Sequence, residues 1–520
     1  MVTDQQMGKG RAGRFVAGFI TGYAMIAVSI LYAFFSVRLA LQYLGKEEFG
    51  LWSLAAQIMG YLMLLEFGVT AAISRLLADH KDDPSGTAYA GLLTAGIYLF
   101  GGQGCLVVVI GGCFSQLAPG LFDVPEALRR EFANLLLIVT ASGGVSLALR
   151  FLGTPLWAFN RQDISYGLSI LSLTLNLLVL WFGFLLGWGI YSFAAALLPG
   201  VLMTPLVTLI VCRQSGYYPQ RWTWRVPERG VFKALTVFAK DSFLMNLGNQ
   251  LVNASQIIIL SRFAGLETAA TFAVGGKMYA LGQQCVVKVI EASAPALTEL
   301  YVRNVRDQFE KRFWNAVCLS VFLGVLGACV LLLGNASVVK LWSSGVISWS
   351  SGLDLLLALL LLAAATTRCL TSLFGIVGNL RPVRFIPFLE GGLFIFLAVP
   401  AAMRFGIAGV LVSSLLAHLL VTGSLSLAAT KKIFPSLAPI GRPVGGAVLC
   451  LITAGCFSAV PFFREASAPT RLLMMPVLMG PIAWIAWKLI LAQDLRDELL
   501  FRMKAGSSSV FTQVRHLFAA

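Results

Sequence analysis

The chain reads as long apolar stretches separated by short polar gaps. A helix needs about 20 mostly apolar residues to cross a bilayer, and fourteen stretches meet that rule. They are 15–37, 49–77, 88–113, 132–154, 164–186, 189–212, 235–260, 270–296, 313–334, 353–378, 384–403, 406–429, 444–463 and 472–492. Polar residues interrupt the second, fourth, seventh, eighth and tenth. The gaps around the fifth are short, so twelve or thirteen spans are the alternative counts. Outer-membrane strands would instead alternate over about 10 residues, and no such alternation occurs. The expected fold is an all-α polytopic membrane protein of about fourteen helices.

Composition agrees with this reading. Only 12% of the 520 residues are charged and the mean hydropathy is +0.82, against about 25% charged in a soluble protein. The net charge of +15 does not point to nucleic acid. A nucleic-acid binder shows its basic residues on one soluble face, whereas here they sit in the gaps between apolar runs. The amino-terminal stretch carries Lys9, Arg11 and Arg14. It is too long for a signal-peptide core and no small-residue cleavage site follows, so it reads as a retained first span. With the N-terminus inside, 24 of the 39 Lys+Arg fall on the cytoplasmic side, 9 outside and 6 within spans. That asymmetry places both termini in the cytoplasm of an inner membrane.

The chain divides into helices 1–6 (residues 1–212), a basic connection (213–234), helices 7–12 (235–430), and helices 13–14 with a cytoplasmic tail (431–520). The connection holds Arg213, Arg221, Arg225, Arg229 and Lys233. It is either a charged cytoplasmic loop or an interfacial helix on anionic lipid. A weak repeat follows the same division: Gly45 and Glu47 match Gly265 and Glu267 at a shift of 220. Two such halves related by an axis along the membrane normal commonly hold substrate between them.

Catalytic chemistry is not visible. No G-x-x-x-x-G-K-[ST] phosphate loop occurs, and the three histidines are far apart. The nine cysteines form no C-x-x-C pair, so no metal site, cofactor or disulfide framework is expected. The informative residues are the polar ones inside spans, because an intramembrane charge is costly unless paired or wet. At 100° per residue, Lys277, Gln284, Lys288 and Glu291 share one line on span eight. Asn246, Asn249 and Asn253 share a face of span seven. Ser165, Ser169, Ser172 and Asn176 do so on span five, and Arg368, Ser372, Gly375 and Asn379 on span ten. Span four places Arg150 with Gly143 and Ser146, and span two offers Glu66. Such stripes fit a water-filled central cavity. Helix-to-helix hydrogen bonding is the alternative for the Asn and Ser stripes, and snorkelling for Arg150 and Arg368. Four cations against Glu66 and Glu291 leave a net charge of +2, which suits an anionic passenger.

YLGKEEFGLWSLAAQI (43–58) followed by LLEFGVTAAISRLLAD (64–79) resembles the start of the polysaccharide-transporter family. These are the Wzx-type O-antigen and exopolysaccharide flippases of the multidrug/oligosaccharidyl-lipid/polysaccharide exporter superfamily. The resemblance implies two six-helix lobes around a cavity, two extra C-terminal helices, and flipping of an undecaprenyl-diphosphate-linked oligosaccharide by alternating access. Partners would be that glycan, membrane lipids and other polysaccharide-assembly proteins. Arg150, Lys277, Lys288 and Arg368 are expected to bind the diphosphate head group. Asn246, Asn249, Asn253 and Gln284 are expected to meet the sugar, and Glu66 or Glu291 to carry a coupling proton. An ion pair with Lys288 is the alternative for Glu291. The Arg-Asp pair that lipid II flippases carry in their first span is missing. A drug or metabolite antiporter of the same fold is the competing reading, and a membrane-embedded glycan polymerase a weaker one.

Overall fold

The computed structural model describes residues 3–159, 161–219, 243–377, 383–433, 441–497 and 500. Most of the basic connection, Lys240, Asp241, Asn379 and nearly all of the C-terminal tail lie outside the described residues. Among those described there is no strand. The helices are α1 (Thr3–Tyr43), α2 (Lys46–Leu62), α3 (Val69–Asp79), α4 (Thr87–Leu121), α5 (Glu126–Ala148), α6 (Thr154–Ala158), α7 (Gln162–Leu185) and α8 (Tyr191–Gln214). The described part of α9 is 243–253. There follow α10 (Ser255–Phe263), α11 (Leu266–Gly275), α12 (Lys277–Val302), α13 (Arg306–Trp342), α14 (Ser351–Ile376), α15 (Ile386–Ala417), α16 (Ser424–Ile433), α17 (Gly441–Ala459), α18 (Pro461–Glu465) and α19 (Ala468–Leu489).

Ten of the described helices are long and apolar enough to cross a membrane, which makes this a multi-pass membrane protein. The structure thus has ten such helices where the sequence pattern gave fourteen, and the physical reasons are local. The run Ile386–Lys432 is 47 residues long, about 70 Å if straight, more than twice the ~30 Å hydrocarbon core. It is not straight: Gly406 has φ 53° and ψ −129°. A side chain at Gly409 would lie 2.3 Å from the Ala401 carbonyl oxygen, so the chain turns back on itself between expected spans eleven and twelve. Expected spans seven and eight are each broken, at Ala254 and at Gly276, and the 26-residue α12 that follows the second break is long enough but too polar to count. Span thirteen falls on the shorter apolar helix Pro443–Ala459.

The described helices group into two compact units. The first comprises 1–274, 342–346 and 387–410, the second 275–341, 347–386 and 411–520. In the first, α4 and α5 pack at backbone distance: a Cβ on Gly104 would sit 2.5 Å from the Gly144 carbonyl oxygen, and one on Gly144 2.7 Å from that of Gly104. Small residues at a helix interface permit this approach, which supplies packing where lipid offers no hydrophobic drive. The segments matched by the repeat also meet here. Lys46 lies 4.0 Å from Glu267, and Gly50 abuts the Leu266 backbone. In the second unit, α13, α14, α17 and α19 share a core that includes Val321, Val325, Leu373, Ala447 and Ile482.

Candidate functional site

The charged residues inside the spans occupy two broken helices and their neighbours. In the first unit, α2 ends in a 3-10 turn over Met63–Glu66, and Phe67 and Gly68 follow with φ 51° and 74°. Gly68 adopts the left-handed region freely; Phe67 does so at a cost of about 1 kcal/mol or more. The expected straight span two is therefore two helices with Glu66 at the break. Span four breaks the same way, through a 3-10 turn over Arg150–Gly153. The two breaks are joined by an ion pair between Arg150 Nη1 and Glu66 Oε2. Glu66 Oε1 also accepts from the Thr70 amide at 3.3 Å, and the Glu66 carbonyl accepts from Gln103 at 3.1 Å. Side chains stay accessible, with Glu66 19% and Arg150 38% exposed. Phe67 packs on Phe243 of α9, ring centroids 4.8 Å apart.

Asn246, Asn249 and Asn253 share an exposed face of α9. Asn253 donates to the Asn249 carbonyl at 2.9 Å, a bond within its own helix. Gln250, at the edge of that face, packs where a Cβ on Gly60 would lie. Span five behaves differently from its neighbours. With its amide turned to donate, Asn176 reaches the Ala196 carbonyl at 2.7 Å and the Ser172 carbonyl at 3.0 Å. That stripe joins α7 to α8.

In the second unit, α12 runs unbroken from Lys277, so Lys277, Gln284, Lys288 and Glu291 do share one line. Lys288 donates to Glu291 at 2.5 Å, one turn away. Lys277 is half-buried and Arg368, on α14, is exposed; among the described residues neither forms an ion pair. The net +2 counted along the sequence thus resolves into two paired cations and two unpaired ones, the latter both in the second unit. His418 hydrogen-bonds Thr367 at 2.9 Å.

The sequence reading missed Asp354. It is 1% exposed in the first turn of α14, and every one of its partners lies in the second unit. Its Oδ1 accepts from Asn335 Nδ2 and from Trp349 Nε1, each at 2.7 Å. Its Oδ2 accepts from the Ala336 amide at 3.2 Å. Asn335 also donates to the Gly275 carbonyl at 3.1 Å, next to the break in span eight, and a Cβ on Gly275 would strike the Trp349 ring. The available signal was a lone acid in the leucine run SGLDLLLALLLL. Among the described residues no cluster of three metal-ligating side chains occurs.

The sequence profile of the polysaccharide biosynthesis protein family matches residues 17–301, more than half of the chain. The chain belongs to that family. The matched part of this polysaccharide biosynthesis protein contains the Glu66–Arg150 pair, the α9 asparagines and the α12 stripe, while Arg368 and Asp354 lie beyond it. No curated protein matches in sequence. In fold, the chain is similar to the lipid II flippase MurJ in an inward closed conformation, with a TM-score of 0.69 at 14% identity over 91% of this chain and 99% of that one. It is similar to an inward-facing multidrug resistance MATE family transporter of the MOP superfamily, with a TM-score of 0.65 at 15% identity over 77% and 95%. A MOP superfamily transporter from Pyrococcus furiosus, whose reversed binding-pocket polarity suggested a different function, gives 0.62 at 13% identity over 82% and 96%. At such identities the likeness establishes the fold of this family member and no more.

Proposed function

We propose that this polysaccharide biosynthesis protein flips a lipid-linked oligosaccharide across the bacterial inner membrane by alternating access, with both termini in the cytoplasm. The observation that carries the reading is the unpaired positive charge of Lys277, which opens α12, and of Arg368 within the apolar helix α14. A cation held in a span without a counter-charge is costly, and a phosphate-bearing head group supplies the counter-charge through charge-assisted hydrogen bonds. The lipid II substrate named for the MurJ neighbour is of this chemical class. Undecaprenyl diphosphate is the carrier in this reading. Arg150 and Lys288 are secondary contacts, available when Glu66 and Glu291 release them. Asn246, Asn249, Asn253 and Gln284 would hydrogen-bond sugar hydroxyls. Glu66 or Glu291 would exchange a coupling proton. The same charge disfavours a cationic drug as the passenger.

The test is surface glycan in a deletion strain complemented with variants at equal protein level. Lys277→Ala and Arg368→Ala together should reduce surface glycan at least tenfold and leave lipid-linked oligosaccharide accumulated inside. Normal glycan in the double variant removes the cationic site. A deletion that changes drug resistance and leaves glycan intact assigns the antiporter role instead.

A further inference from the structure

A crevice of about 670 Å³ lies wholly within the second unit, bounded by α13, α14 and the α17–α19 segment. This volume is in the range of sites that bind small molecules, yet none of the residues expected to meet the passenger lines it. It is polar at one end only. Ser351 and Gly352, which open α14, stand there with Ser458, Arg464 and Arg471. From that end the lining becomes aliphatic down α14 to Leu362 and down α17 to Val448. The paths cover twelve and eleven residues, about 16 Å, close to half the thickness of a bilayer core. The floor is closed by buried Leu333, Leu451 and Phe463, while Leu355 and Ile452 are 45% and 57% exposed along the rim. The crevice is thus one leaflet deep and open at its side.

The charges at the polar end are arranged for an anion. Arg471 is anchored by donating to the Ala466 carbonyl at 3.0 Å and to the Arg464 carbonyl, and its guanidinium lies 5.9 Å from the Phe463 ring. Arg464 is exposed and, among the described residues, has no ion pair. The acids nearby are Asp354, whose carboxylate is turned to three donors of its own, and the exposed Glu465. The first turn of α14 adds the positive end of a helix dipole. Basic pockets between membrane helices on the cytoplasmic side take anionic lipid head groups, and charge-assisted contacts to phosphate act alike on either face.

We propose that this crevice holds one anionic membrane phospholipid, its phosphate between Arg464 and Arg471 and one acyl chain along Leu355, Leu359 and Ile452. The proposed orientation places it in the extracytoplasmic leaflet. Native mass spectrometry of the full chain, with phosphatidylglycerol or phosphatidylethanolamine of identical acyl chains, tests this. The wild-type protein should retain one phosphatidylglycerol about tenfold more tightly than phosphatidylethanolamine, whose ammonium offsets the phosphate charge and is repelled by the two arginines. Arg464→Gln should erase that preference. A Cβ on Gly455 meets nothing within 4 Å, so Gly455→Leu should fill the crevice and abolish retention of either lipid. Equal retention of the two lipids, an unchanged preference in Arg464→Gln, or displacement by millimolar inorganic phosphate would each overturn the proposal. Arg464 is at the surface, so its variant decides the question even if Gly455→Leu does not fold.

Discussion

Two broken helices in this protein are held by opposite means. The break after α2 is tied across to the break after α5 by an ion pair between Glu66 and Arg150, and both side chains stay accessible. The break between α11 and α12 is braced by Asn335, which joins the Gly275 carbonyl to Asp354. That carboxylate is 1% exposed and meets only neutral donors. An accessible pair costs little to open, because water or a ligand can replace either partner. A buried carboxylate with three donors is expensive to disturb, since removing it strands each donor without a partner. The first arrangement is suited to exchange of partners, and the second to holding a shape.

The largest effect should therefore come from Asp354→Ala. Stranding the Asn335 and Trp349 side-chain donors and the Ala336 amide should destabilise the second unit by about 3 kcal/mol or more. Thermal unfolding of the purified protein in detergent measures it. Asp354→Asn keeps the volume and an oxygen for Asn335 and Trp349 but turns an amide donor toward the Ala336 amide, so a smaller part of the loss should persist. A melting temperature within a degree of wild type in both variants would dismiss the bracing role.

Glu66→Gln should behave in the opposite sense, changing stability by less than about 1 kcal/mol while lowering surface glycan. The exchanged pair, Glu66→Arg with Arg150→Glu, sharpens the contrast. If the pair serves only to join the two helix breaks, the exchange restores glycan. If Arg150 meets the passenger or Glu66 carries a proton, stability recovers and transport does not. A stability loss of several kcal/mol in Glu66→Gln would erase the distinction between the two breaks.

Apolar run length made the helices legible, because twenty apolar residues in a row admit few alternatives. Run length alone did not reveal the breaks, although polar residues interrupt the four broken spans, two, four, seven and eight. Met63–Gly68 and Gly275–Gly276 carry no proline, and their irregular turns depend on Arg150, Gln103 and Asn335, which are remote in sequence. The candidate charges were legible because a lysine or arginine in an apolar run stands out. Their pairing was half legible: Lys288 and Glu291 are neighbours on one helix, whereas Glu66 and Arg150 are 84 residues apart. Asp354 went unnoticed because it stands at the start of its apolar run, fourteen residues from Arg368, the nearest charge along that helix. What identifies it is a set of donors on other segments.

The smallest effect should come from a pair that neither break uses. Lys311 donates to Asp494 at 2.6 Å, joining the start of α13 to the segment after α19, and both side chains are mostly exposed. The Lys311 ammonium holds the Asp494 carboxyl below its usual range. A carboxyl depressed on folding adds stability above its unfolded value and loses it as pH falls through the folded one, so the contribution of this pair should fade only on acidification below about pH 4. Solvent and salt screen it, and Asp494→Ala should leave the neutral-pH melting temperature where it was. A clear drop at neutral pH, removed by high salt, would show that surface charge also braces the second unit, and Asp354 would then share that work.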